Sequence, residues 1–514
     1  MDNDKGTAQS RYENLSRDRD NYLERARECS RFTIPMLIPE SDTTGTTRFP
    51  TPYSGVGARG VNNLASKLLI ALLPPNSPFF RLRIDDYTLK ELEGNQNLKT
   101  DIEKGLSEVE RAIMTDIEMS ADRVAVFEAL KILIVGGNCL LHITDEGVRT
   151  FNLNQYVVKR DQTGNILEII TKETLSPETL PLEIQSAVKS RLEEDAKTVE
   201  LFTHVRRQKK FYVVNQEVKG LKVPNSTGRF PLDKLGYIAL RFTRIDGENY
   251  GRSFCEEYLG DLSSLEYLTK SIVSGSAAAA KVLFLCNPNS TTRARKLAES
   301  NSGDIIEGNA QDVSVLQVNK FQDFRVASET ISRIETRLQI AFLINASIRD
   351  AERVTAAEIA LVSKELEQGL GGVYSILSQE FQLPYIQRKM FLMGKRKKLP
   401  ILPDTVKPTV ITGLEALGRG NDRQKIIEFL QTLANTLGAE VVQKYINVSE
   451  AISRLAIADG IEVNGLIKDE DEIASMQQQQ QLQQVAQDTA KNIDPQQAIN
   501  AAQQYYNTQQ QQEQ

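Results

Sequence analysis

The chain has 514 residues, 40% hydrophobic and 25% charged, with a formal net charge of −6, which is ordinary soluble composition with room for two or three cores. That balance excludes a protein that grips DNA through one broad basic face. It does not exclude a conduit, because a wall that binds phosphates weakly lets a duplex slide. The longest apolar run, Leu68 to Leu73, is far shorter than the roughly 20 residues a bilayer span requires, so no membrane partner is expected. The polar start of the chain predicts no signal peptide and assembly in the cytoplasm.

In chain order, residues 8 to 35 predict a first helix, with Leu15, Tyr22, Leu23 and Ala26 at helical spacing. Gly55, Gly57 and Gly60 then fit the spacing of a dinucleotide fingerprint ahead of a helix expected over Val61 to Leu73. The context argues against it: Pro50 and Pro52 remove backbone donors and no buried strand precedes the first glycine. Pro74-Pro75 stops the helix. A capping-box pattern at Thr88 and Glu91 opens a third helix, and Val124 to Val135 forms a fourth that ends at Gly136-Gly137.

Between Cys139 and Ile245 the periodicity becomes alternating. Tyr156 to Lys159 and Ile166 to Thr171 predict a hairpin around Asp161-Gln-Thr-Gly-Asn165, and Val199 to His204 with Phe211 to Val214 a second. Pro177 to Ala196 reads as a charged surface helix, and Tyr237 to Ile245 as a further strand.

A long helix is expected after Gly251, then short strands at Lys281 to Pro288 and Val313 to Val318. A second long helix, Gln322 to Ile344, carries Ala327, Ile331, Ile334, Leu338 and Ala341 in steps of four and three, the stripe of helices packed side by side. Asn345 to Val354 is a polar, charged loop without glycine or proline. Thr355 and Glu358 form a capping box for a third long helix with Gly371-Gly372 in its middle and Pro384 further on. A basic run, Lys395 to Lys398, ends it. Thr409 to Gly465 predicts a small helical unit, and glutamine runs beyond Ser475 predict a disordered or loosely helical tail. Overall the fold class is α+β, mainly helical.

Candidate chemistry is sparse. Cys29, Cys139, Cys255 and Cys286 are far apart and read as reduced, buried small hydrophobes. His142 and His204 are the only histidines, and both fall in strand-like segments, which favours structural roles. No Gly-x-x-x-x-Gly-Lys-[Ser/Thr] loop occurs. No catalytic residue, metal or cofactor is expected.

The segment Gly57-Ala-Arg-Gly-Val-Asn-Asn-Leu-Ala-Ser-Lys-Leu68, followed by prolines and an aromatic pair, resembles the signature of the portal proteins of short-tailed phages, the podovirus head-to-tail connectors. Asp246-Gly-Glu-Asn-Tyr-Gly-Arg-Ser253, Glu257 to Leu265, Glu352-Arg-Val-Thr-Ala-Ala-Glu358, Glu365-Leu-Glu367, Gly371 to Glu380 and Thr412-Gly-Leu-Glu-Ala-Leu-Gly-Arg-Gly420 are similar to that family in the same order, over about residues 8 to 470.

The resemblance implies a wing (1–250), stem helices (251–280 and 322–344) flanking a clip (281–321), a channel loop (345–354), a long wing helix with its connection (355–407) and a crown (408–474). The tail (475–514) departs from what matches. It further implies a homo-oligomeric, dodecameric ring at one capsid vertex of the virion, passing double-stranded DNA, with terminase, a tail adaptor, major capsid, scaffolding and internal core proteins as partners. ATP hydrolysis would belong to the terminase.

Two sets of residues are then expected to work. Arg349, Asp350, Glu352 and Arg353 would line the channel loop, where ring symmetry turns each into a belt of charge that touches phosphates without reading sequence. Arg293, Arg295 and Lys296 would form the docking surface of the clip; the plainer alternative is a solvated helix face. Two rival functions are a Rossmann-type oxidoreductase built on Gly55 to Gly60 and a helical scaffold or adaptor without a channel.

Overall fold

The computed structural model describes residues 6–40, 43, 45–75, 78–84, 96–191, 197–279, 283–289, 292–316, 321–344, 356–370, 372–396, 408–412, 419–438 and a few single positions up to 455. Two compact units divide the chain, Met1–Leu417 and Gly418–Gln514. Among the described residues, the first holds every sheet and all but one of the helices named below.

Helix α1 (Ala8–Phe32) starts where the Thr7 hydroxyl accepts from the Ser10 amide at 3.2 Å, an N-cap of the expected kind. Leu23, Ala26, Cys29 and Phe32 face the main core. Helix α2 (Val56–Leu72) begins five residues earlier than the sequence predicts. Gly55 is its N-cap, and Gly57 and Gly60 lie inside it, so the three glycines form no phosphate-binding turn. They permit close packing instead: a Cβ on Gly57 would lie 2.6 Å from the Phe32 carbonyl oxygen, and one on Gly60 2.6 Å from the Phe342 ring. Val61, Leu64, Ala65, Leu68, Ala71 and Leu72 are fully buried. Each large side chain among them contributes about 1.5–3 kcal/mol on burial, which makes α2 the spine of the unit.

Strand β1 (Phe80–Ile84) follows. Helix α3 (Gln96–Met119) buries Ile102, Leu106, Val109, Ile113 and Ile117 on one stripe; the capping pair expected at Thr88 and Glu91 lies outside the described residues. Helix α4 (Asp122–Gly136) packs across α2 and ends as expected, with Gly137 in the left-handed conformation at φ 71°.

The alternating region forms two antiparallel sheets. Strands β2 (Asn138–Thr144) and β3 (Gly147–Phe151) pair with β10 (Tyr237–Arg241) in the order β10-β2-β3. The six-stranded sheet contains β4 (Tyr156–Arg160), β5 (Ile166–Leu175), β6 (Val199–Gln208), β7 (Phe211–Val218) and β8 (Leu221–Lys222) in sequence order, with β9 (Gly228–Pro231) also on β7. Both predicted hairpins are present. The surface helix expected over Pro177 to Ala196 is only α5 (Leu182–Lys189), because Pro181 separates it from a 3-10 turn at Pro177–Thr179. Strand β10 stops at Arg241, where its pairing with Asn138 ends, rather than at Ile245.

The helix expected after Gly251 is split at Tyr258 into α6 (Phe254–Glu257) and α7 (Leu259–Ala279). Strands β11 (Leu283–Cys286) and β12 (Val313–Leu316) pair, with α8 (Ala294–Glu299) between them, and α9 (Phe321–Ala341) follows. The third long helix is broken in its middle. Helix α10 (Ala356–Gly369) gives way to α11 (Val373–Leu377) through Gly372 at φ 91°, a backbone value that favours glycine. A π-helical stretch, Ser378–Gln382, then feeds α12 (Leu383–Lys395), and Pro384 sits in that helix's first turn, where its missing amide costs least.

The helical unit expected from Thr409 starts instead with strand β13 (Pro408–Thr412), which pairs with β1 through Phe80 and Thr412. In the second unit, helix α13 (Arg419–Leu437) is described. The tail beyond Ser475 lies outside the described residues.

Candidate functional site

Helices α7 and α9 run antiparallel. Arg337 of α9 bonds Asp261 near the start of α7 at 2.7 Å, while Gly275 near the end of α7 lies against Phe324 near the start of α9, close enough that a Cβ would meet the ring at 2.8 Å. Their shared stripe is the one the sequence predicts: Ile334 and Leu338 are buried, as are Leu262 and Leu265 opposite. Burial is confined to the end near the core. Away from the core exposure rises: Tyr267, whose ring still meets Phe32 edge-on at 6.2 Å, and Val273 and Val326 stand 62%, 50% and 63% exposed.

The far end of the pair carries the β11–β12 hairpin. Thr292 is its hub: its hydroxyl accepts from the Asn309 amide at 2.9 Å and donates to Asp312 Oδ2 at 3.1 Å, while its carbonyl faces the Cys286 thiol at 3.3 Å. Arg293, Arg295 and Lys296 are brought together on α8 and its N-cap, all exposed. Arg295 is engaged by Glu299 at 2.9 Å, one turn on. Such an exposed pair adds little stability, so the cluster remains a cationic face open to solvent. Ile305, fully exposed, stands on the loop that follows.

At its other end α9 is clamped by α2. The Asn63 side-chain amide donates to the carbonyls of Phe342 and Leu343, both at 2.9 Å. Leu343 takes φ 53° there, ending the helix. Phe342 packs edge-on against Phe254 at 5.2 Å and beside Tyr258. The four residues assigned to the channel loop, Arg349, Asp350, Glu352 and Arg353, lie outside the described residues. The chain is described again at α10, whose Glu365 bonds the ammonium of Lys67 at 2.9 Å. Lys67 is 1% exposed, a buried cation that persists because it is paired and hydrogen-bonded.

The titratable interior is structural. His142 stacks on Tyr237 at 4.0 Å, and burial, with Arg149 and Arg388 nearby, lowers it to about 4. His204 Nε2 bonds Glu168 at 2.7 Å. Burial alone would raise Glu168, but its bonds to His204 and Arg11 hold it down at about 2. Asp122, fully buried, accepts from Tyr385 at 2.7 Å and pairs with Lys389 at 2.8 Å. Burial pushes the Cys29 thiol up to about 11 and those of Cys139 and Cys255 well above the ordinary value, so none is a ready nucleophile; Cys286 is half-buried. Among the described residues no group of three His, Cys, Asp or Glu side chains could hold a metal, and no helix is long and apolar enough to cross a membrane.

The sequence reading missed Gly60, Asn63 and Lys67 as working residues. Their signal was present, because all three fall in the Gly57 to Leu68 segment, but their partners, Phe342, Leu343 and Glu365, are some 280 to 300 positions away.

The chain is similar to known proteins over most of its length. The family model of the bacteriophage head to tail connecting protein matches residues 5–467. The portal protein of Enterobacteria phage T3 is 42% identical over 483 residues, 92% of this chain and 90% of that protein. The portal protein of Escherichia phage T7 is 41% identical over 93% and 91%, and that of Enterobacteria phage SP6 is 32% identical over 82% of each.

Proposed function

We propose how the parts of this chain divide their work from the premise that it belongs to the bacteriophage head-to-tail connecting, or portal, protein family. It is a structural, non-enzymatic component of the virion, placed at the portal vertex of the capsid, where it serves DNA packaging and forms an oligomeric ring. The oxidoreductase alternative loses its basis, since Gly55, Gly57 and Gly60 open and line a packed helix.

In the proposed arrangement α7 and α9 are the stem, the β11–β12 hairpin with α8 is the clip, and α1 to β10 with α10 to α12 form the wing. Strand β13 joins the wing by pairing with β1. The 345–354 segment is the channel loop, and the second unit supplies the crown. Twelve copies close the ring, DNA passes the belts made by Arg349 and Arg353, and the clip receives terminase and then the tail adaptor. Capsid, scaffolding and internal core proteins meet the outer surfaces.

The observation that carries the ring reading is the set of apolar side chains left largely exposed along the stem, Tyr267, Val273 and Val326. A helix pair needs a neighbour there, and a closed cyclic arrangement gives every copy one. Negative-stain imaging with light scattering tests it: rings with a central hole are expected without nucleotide or metal. A species that stays monomeric at micromolar concentration defeats it, and elongated dimers would favour a scaffold without a channel.

A further inference from the structure

The outward face of the six-stranded sheet carries a cationic row that the stem, clip and channel loop do not use. Antiparallel register sets Lys159 opposite Glu168, Glu168 opposite Arg206, Arg206 opposite Val213 and Val213 opposite Arg229, one line across β4, β5, β6, β7 and β9. Residues directly opposite share a face. The other face sends Val158, Ile169, Val205, Tyr212 and Val214 into the main core, so the row points away from it. Helix α1 covers one end of this face, where Tyr12 packs on Phe202, and from there Arg11 reaches Glu168 at 2.9 Å.

Lys159 and Arg229 are exposed and Arg206 is half-buried. None of the three has a carboxylate partner among the described residues, and the Arg206 Nε lacks any hydrogen-bond acceptor. Glu168, the row's one acid, is already bonded to both Arg11 and His204. Exposed Lys209 and Lys210 extend the charge onto the β6–β7 turn. With strands 4.7–4.9 Å apart, cations two strands apart stand about 9.6 Å from one another on a rigid sheet.

We infer that this face is a sequence-independent contact for the phosphate backbone of duplex DNA, separate from the channel. The inference rests on the chain being a portal, which brings it to DNA. Its chemistry suits nucleic acid better than an acidic protein. A protein partner needs an apolar anchor in a pocket, whereas here Phe211, the row's nearest aromatic ring, is capped by the Arg229 guanidinium at 5.4 Å from its centroid. Phosphate contact asks only for fixed positive charge.

The test uses assembled rings of the full chain and covalently closed circular DNA, which cannot thread a channel. Wild-type rings should retain the circles at 50 mM salt. The variant Lys159→Gln, Arg206→Gln, Arg229→Gln should bind at least tenfold more weakly, with its log–log salt slope reduced by about 0.9 for each contacting cation removed. Arg206→Lys with Arg229→Lys should keep most of the binding, and imaging confirms that each variant still forms rings. Circles that do not bind, or that bind the triple variant as tightly as wild type, overturn the inference. So does stronger capture of poly-glutamate than of circles, which would assign the face to an acidic protein. Rings that fail to form in the wild type would count against the portal reading instead, and binding of circles by such chains through these three residues would still support the face.

Discussion

A single methyl group at Gly60 tests whether the glycines of α2 serve packing. An alanine Cβ there would stand 2.6, 2.9 and 2.9 Å from Cγ, Cδ1 and Cδ2 of Phe342, distances at which something must shift. The ring has little room to yield, being fully buried and held against Phe254 and Tyr258. Overpacking of this kind costs about 1–3 kcal/mol, while replacing a helical glycine by alanine returns about 1 kcal/mol. With three atoms crowded at once the upper end applies, leaving a net loss of about 2 kcal/mol. With an unfolding entropy of about 2.1 cal/mol/K per residue over the Met1–Leu417 unit, that corresponds to a drop of about 2 °C in Tm, at roughly 1 °C per kcal/mol. Gly57→Ala should be worse, because its Cβ meets the Phe32 backbone oxygen at 2.6 Å and a carbonyl cannot rotate aside as a side chain can. Gly55→Ala meets nothing within 4 Å and should cost under about 1 kcal/mol, a cap effect. The assay is thermal unfolding followed by tyrosine near-UV circular dichroism, since the chain has no tryptophan. Adding Phe342→Leu to Gly60→Ala should recover part of the loss, with a coupling of about 1 kcal/mol or more between the two sites. Equal effects at all three glycines, no coupling to Phe342, or a Tm raised by NAD would refute the packing argument.

Acid should weaken the fold through His142: its folded value near 4 lies below the ordinary 6.5, so between those pH values the unfolded chain binds a proton that the folded chain refuses. Stability then falls by about 1.4 kcal/mol per pH unit lost in that window, and His142→Gln should flatten the urea midpoint between pH 6.5 and 4.5; an unchanged slope would defeat this account. Asn63→Ala, which removes two hydrogen bonds from the end of α9, should lower stability by about 1–3 kcal/mol, and a chemical-denaturation midpoint equal to wild type would show the clamp to be idle. Reversing Arg293, Arg295 and Lys296 to glutamate should leave rings intact while tail-adaptor capture falls in a pull-down; undiminished capture removes the clip from docking. Arg349→Ala with Arg353→Ala should leave rings and adaptor binding unaltered but change DNA packaging or retention in a salt-dependent way. A double variant that packages and retains genomes like the parent across a salt series would take these arginines out of the channel.

Much of the fold was legible in the sequence because its signals are local. The hairpin around Asp161 to Asn165, the Gly137 stop and the four-three stripe of α9 each arise within a short window, and each is present. The misreadings come from positions where a distant partner decides. Pro408–Thr412 looks like the start of a helical unit, yet pairing with Phe80–Ile84 makes it a strand. The helix from Val56 starts early because Gly57 and Gly60 are held by Phe32 and Phe342, so glycines that signal a turn locally become points of close approach. The break at Gly372 falls inside what reads as one long helix because periodicity shows where glycines fall, not the sign of their φ. At the candidate site, the two short strands that flank Arg293, Arg295 and Lys296 were legible as local apolar runs. The Asn63 clamp and the Lys67–Glu365 pair could not be read, since both rest on contacts some 280 to 300 residues apart.

The π-helical stretch Ser378–Gln382 sets the rotational phase of everything after it. A wide turn of this kind behaves as one extra residue in an α-helix, and each residue of an α-helix turns the chain by about 100°. The wide turn absorbs that extra residue and so leaves α12 in phase; were the turn to tighten into regular α geometry with the residue retained, α12 would swing by that angle. Tyr385 and Lys389 would leave Asp122, and Arg388 would leave the carbonyls of Ile143 and Lys234. The segment therefore acts as a phase spacer: its widened turn, more than its side chains, determines which face of α12 meets the buried aspartate.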